Sequence, residues 1–99
     1  MKRYMIERQV PGAGKLTADE LKAMAARSNE VIAGLGPGIQ WVQSYISDDA
    51  ITCIYLANNE DILRQHASRG PFPITRITEV TSMFDPSTAG AARAAAAKV

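Results

Sequence analysis

One cysteine, one histidine and one tryptophan occur in 99 residues, and aromatic residues make up only 6% of the chain. Each scarcity excludes something. A lone cysteine, Cys53, cannot close an internal disulfide, which fits a reducing compartment. A lone histidine, His66, rules out any metal motif that needs two imidazoles from one chain. Charge of one sign is also missing. Eleven basic residues against ten acidic ones give +1, and no basic run exceeds Lys2-Arg3. That leaves no electrostatic footprint for nucleic acid. No apolar run approaches the roughly 20 residues of a membrane span. Met1-Lys2-Arg3 resembles the start of a secretory leader, but Glu7 and Arg8 break the apolar run that a leader needs. The expectation is one soluble cytoplasmic domain, able to bury one sheet against one layer of helices.

What is present is well punctuated. Residues 3 to 10 read as a strand that Pro11-Gly12-Ala13-Gly14 ends. Thr17-Ala18-Asp19-Glu20 is a capping box, with Leu16 and Leu21 placed as a hydrophobic staple. Leu21, Met24, Ala25, Ser28, Val31 and Ile32 then mark one buried helix face. Gly34-Leu35-Gly36-Pro37-Gly38 closes that helix. Residues 39 to 58 read as a hairpin turning at Ser47-Asp48-Asp49-Ala50. Asn58 or Asn59 can cap a second helix, carrying Ile62, Leu63, His66 and Ala67 on one face, until Gly70-Pro71-Phe72-Pro73 stops it. A last strand is predicted over residues 76 to 84.

The order strand, helix, strand, strand, helix, strand predicts an α+β, ferredoxin-like βαββαβ sandwich: a four-stranded antiparallel sheet with both helices on one face. The domain is expected over residues 1–85, followed by an alanine-rich tail, 86–99, that is frayed because so short an isolated helix is marginal in water. Strict alternation through the hairpin puts Trp41, Gln43, Tyr45, Cys53 and Tyr55 on one face, and Val42, Ile46, Ile54 and Leu56 on the other. The second set reads as core. The first, aromatic and polar together, suits a pocket or a subunit interface on the bare side of the sheet. A homodimer covering that face is the simplest remedy for its exposure.

Three segments carry a family likeness: Tyr4-Met5-Ile6-Glu7-Arg8 with Pro11-Gly12-Ala13-Gly14; Gly36-Pro37-Gly38-Ile39-Gln40-Trp41-Val42-Gln43-Ser44-Tyr45; and Arg64-Gln65-His66-Ala67-Ser68-Arg69-Gly70 with Phe72-Pro73. Asp85-Pro86-Ser87-Thr88 also fits. On these the chain resembles a small bacterial family of unknown function commonly labelled nickel-binding. The resemblance implies a ferredoxin-like fold, dimerisation and a divalent-metal site. It also implies a histidine where this chain has Gln43, whose amide is a far poorer ligand for nickel than imidazole.

The candidate residues divide by chemistry. His66 and Glu7 are the candidate metal ligands and also the candidate proton-transfer groups. Trp41, Gln43, Tyr45 and Tyr55 are candidates to line a ligand site. If Tyr4 and Ile6 face the helices, Met5 and Glu7 share the bare face with Gln43 and Tyr45. The bland alternatives are a core-edge histidine, a Glu7 paired with Arg3, Arg8 or Arg76, and an aromatic cluster that is only dimer core. Cys53 reads as a small buried hydrophobe, and Gly12-Ala13-Gly14-Lys15 lacks the spacing of a phosphate loop. The leading expectation is a dimeric protein holding nickel, another divalent metal or a small ligand between sheet and helices. The alternatives are a cofactor-free enzyme of the dimeric α+β barrel type, doing proton transfer or oxygenation on a small organic substrate, and a module that only oligomerises.

Overall fold

The computed structural model describes residues 1–90. Strand β1 (Lys2–Gln9) leads through a short 3-10 turn (Ala13–Lys15) to helix α1 (Ala18–Leu35). Strands β2 (Ile39–Ile46) and β3 (Ala50–Ala57) form the hairpin, followed by helix α2 (Glu60–Arg69) and strand β4 (Arg76–Val80). The sheet order is β2-β3-β1-β4 and every neighbouring pair is antiparallel. This is the α+β, ferredoxin-like arrangement that the element order predicts.

The local signals act as expected. Thr17 and Glu20 close a reciprocal capping box: the Glu20 amide donates to Thr17 Oγ1 at 3.2 Å and the Thr17 amide to Glu20 Oε1 at 3.0 Å. Asn59, not Asn58, caps α2 by accepting from the Ile62 amide. Asn58 lies against Gly38 instead, donating its amide to the Gly38 carbonyl at 3.0 Å, and a Cβ on Gly38 would make the Asn58 side chain shift, since it would sit 2.9 Å from Nδ2. Arg27 of α1 donates to the carbonyls of Arg69 and Gly70, tying the end of α2 to its neighbour helix.

Both helices cover the face that carries Tyr4, Ile6, Ile51, Cys53, Tyr55 and Ala57, with Leu63 fully buried beneath α2. Tyr4 and Ile6 therefore point inward, and Met5 and Glu7 outward, as the alternation predicts.

Two expectations need correction. First, the faces of the hairpin are not as strict alternation places them. Tyr55 and Cys53 sit opposite Tyr4 and Ile6 in the ladder and turn inward with them. Trp41 pairs with Tyr55 and follows it to the helix side. Ile54 and Leu56, read as core, lie on the open face. A β-bulge at Val42 then resets the phase of β2: the next pairs are Gln43 with Ile54 and Ser44 with Cys53. So Gln43 and Tyr45 reach the open face, whereas Ser44 and Ile46 turn inward. Second, β4 stops at Val80, so residues 81–84 are not strand. Asp85 caps a short 3-10 turn, Pro86–Ala89. The rest of the expected frayed tail lies outside the described residues.

Candidate functional site

Between α1 and the inward face of the sheet lies a cavity of about 110 Å³. From α1, Leu21, Met24, Ala25 and Ser28 form its roof. Trp41 and Ser44 of β2, with Cys53 and Tyr55 of β3, form its floor. Phe72 and Pro73, after α2, close one end beside Arg8 of β1. The first three roof residues are only half-buried, because the start of α1 stands over empty space instead of packed side chains.

Polar atoms in this apolar space are few and almost all paired. The Trp41 indole N–H donates to Ser44 Oγ at 2.9 Å, and the Ser44 hydroxyl donates to Cys53 Sγ at 2.9 Å. Arg8 is 5% exposed. Its Nη1 donates to the Pro73 carbonyl at 2.7 Å and its Nη2 to the Tyr55 hydroxyl oxygen at 3.3 Å. The Phe72 ring lies 5.6 Å from the guanidinium carbon. Among the described residues no carboxylate lies within ion-pair distance of Arg8, although four other basic side chains have one. Burial, followed by Cys53, raises the Tyr55 phenol above its ordinary range against the opposing pull of Arg8, so Tyr55 keeps its proton.

His66 lies next to the cavity wall. It is fully buried, with Nε2 3.0 Å from Ser28 Oγ. Its ring packs between Tyr55, 5.4 Å away, and Phe72, stacked at 5.1 Å. Burial, then the positive charge of Arg8, lowers its pKa to about 4. It is therefore neutral at pH 7 and owns one N–H. Nδ1 has no partner. Placing the proton on Nε2, toward Ser28, leaves an unpaired acceptor there, which is less costly than an unpaired donor.

The residues singled out from sequence thus fall into two groups separated by the sheet. Trp41, Tyr55 and His66 lie on the helix side, the first two at the cavity and His66 behind it. Glu7, Gln43 and Tyr45 lie on the open face. Gln43 donates to the Tyr45 hydroxyl. Glu7 is half-exposed and pairs with Arg76 at 3.9 Å. Thr52 stands between Glu7 and Tyr45 in the ladder, so two strand spacings, about 10 Å, separate them. Glu7 and His66 cannot hold one ion within one chain. Among the described residues no three His, Cys, Asp or Glu side chains gather. Arg8 beside His66 repels a cation, so the residues present do not fit nickel at this histidine. Arg8, Ser28, Ser44 and Phe72 belong to the site without having been singled out from sequence. Arg8 had one signal: it shares the inward alternation of Tyr4 and Ile6.

These features define a ferredoxin-like α+β domain with a partly open, apolar cavity between helix and sheet. The family model of the nickel responsive protein SCO4226-like proteins matches residues 4–80, and the chain belongs to this family. The crystal structure of SCO4226 from Streptomyces coelicolor A3(2) is similar, with a TM-score of 0.67 at 19% identity, over 83% of this chain and 99% of that one. At that identity the likeness is one of fold. No curated protein matches the chain. Among the described residues no helix is long and apolar enough to cross a membrane.

The buried histidine makes stability depend on pH. Its folded pKa, about 4, lies below the ordinary 6.5. The unfolded chain therefore binds the extra proton first, and stability falls as pH drops from 6.5 toward 4, by up to about 3 kcal/mol. Urea denaturation across that range is expected to show this slope and His66→Gln to flatten it. An equal slope in the variant would remove His66 as its source.

Proposed function

We propose that this protein is a binding protein that holds a small organic ligand in the cavity between α1 and the sheet. The observation that carries this reading is the cavity itself: about 110 Å³, apolar-walled, with one buried cationic side chain at its end. The apolar walls of this partly open space stand in contact with solvent, and a ligand that covers them removes that surface from water. A largely preformed apolar space with a few convergent polar groups is the usual form of a small-molecule site. The roughly 150 Å³ engineered cavity that accepts benzene is of the same order.

The family description brings nickel into consideration, but among the described residues no donor set in one chain supports it as a ligand. The enzyme alternative is also weakly supported. A proton-transfer site needs its base at the cavity, and neither Glu7 nor His66 lines it.

A second part of the proposal is homodimerisation through the open sheet face. Met5, Ile54 and Leu56 are only half-covered there, and Tyr45 is 56% exposed. Met83 and Phe84, just beyond β4, are 71% and 87% exposed. A second copy related by a two-fold axis would cover this surface without any other partner.

Amide NMR titration with a panel of small aromatic fragments tests the ligand reading. Shifts are expected around Met24, Ser28, Trp41 and Cys53, with affinity at least tenfold weaker in Ala25→Trp, which fills the cavity from its roof. Shifts confined to the open face would contradict it. For the dimer, sedimentation equilibrium at tens of micromolar should give twice the chain mass. Ile54→Asp should weaken association by about 2 kcal/mol or more. A monomer at that concentration defeats this part.

A further inference from the structure

We propose that the cavity takes a small monocarboxylate with an apolar body, its carboxylate held by Arg8 and Tyr55. This rests on the ligand-binding reading and names the chemical class.

Among the described residues nothing balances the charge of Arg8. It is 5% exposed and has no carboxylate partner among the described residues. A buried cation without a counter-charge is expensive, and the Pro73 carbonyl and the Phe72 face supply dipoles, not an anion. A guanidinium has five N–H groups in a planar fork. Two are used, toward Pro73 and Tyr55, which leaves three. That fork matches the two oxygens of a carboxylate. Tyr55 accepts from Arg8 through its oxygen, so its own O–H can donate to the same carboxylate.

The rest of the cavity defines the body of the ligand. Ser44 and Cys53 are already joined in the chain that starts at Trp41, so they offer no second polar end. Leu21, Met24 and Trp41 present apolar surface. A dicarboxylate would bury its second charge against that surface. A phosphate monoester would bring a doubly charged head to a single cation. The volume of about 110 Å³ suits one ring or a short alkyl chain.

Calorimetric titration of the intact protein at pH 7 tests this, using benzoate and hexanoate against benzamide and hexanamide. Each acid is expected to bind at least tenfold more tightly than its amide. Arg8→Gln should erase that preference, and Arg8→Lys, which keeps the charge but not the fork, should retain part of it. Trp41, the sole tryptophan, gives a fluorescence readout of occupancy. The comparison of acid with amide on the unaltered protein requires no variant to fold. Equal binding of benzoate and benzamide would overturn the carboxylate assignment while leaving a ligand cavity. Benzoate affinity unchanged in a folded Arg8→Gln protein would overturn it as well. Binding of neither compound would overturn the ligand reading itself.

Discussion

A guanidinium held inside the protein, with no opposite charge beside it among the described residues, is the constraint on which this site depends. Arg8 reaches the interior because it shares a strand face with Tyr4 and Ile6, both buried. Once there, it dictates its surroundings. The Pro73 carbonyl turns toward it, Tyr55 offers its oxygen and Phe72 offers its ring. His66, packed against the same two rings, is held neutral partly by that charge. The loop after α2 is fixed by the same group of contacts, since the Phe72 amide also donates to the Ala67 carbonyl. A Cβ on Gly70 would collide with the Phe72 ring, so the small residue at that corner lets the ring cover both Arg8 and His66.

The sheet separates two surfaces of different character, and a single extra residue decides which side chains belong to each. Without the bulge at Val42, Ser44 would face outward and Tyr45 inward. With it, Ser44 joins Trp41 and Cys53 in a hydrogen-bonded chain on the cavity floor, and Tyr45 joins Gln43 outside. The inner surface is therefore aromatic with a few paired polar atoms, which suits a ligand. The outer one is aliphatic around Ile54 and Leu56 with a polar margin at Glu7 and Arg76, which suits a subunit contact.

Much of this was legible in the sequence. The Thr17–Glu20 capping box, the strand and helix order and the outward placement of Met5 and Glu7 follow from spacing alone, whereas Gln43 and Tyr45 reach the open face only through the bulge. The aromatic and polar character of Trp41, Cys53 and Tyr55 did point to a pocket. It lies beneath the helices and not on the bare face, because pairing with β1, not composition, chooses the side for β3. The bulge left no mark, since Val42 fits a strand in either phase. Arg8 was hidden by its type: a strand arginine ordinarily reaches solvent, and only the pairing of three strands with Phe72 and Pro73 shows that this one does not. The nickel label read from family likeness was right about kinship, yet His66 faces Ser28 and a cation, an environment that no local pattern reveals.

The most direct test is a crystal structure of the protein soaked with benzoate. The ring is expected between Met24 and Trp41, with both carboxylate oxygens about 2.8 Å from Arg8 nitrogens and Tyr55 donating to one of them. A benzoate bound only on the open sheet face, or an Arg8 side chain turned into solvent beside an empty cavity, would contradict the carboxylate site.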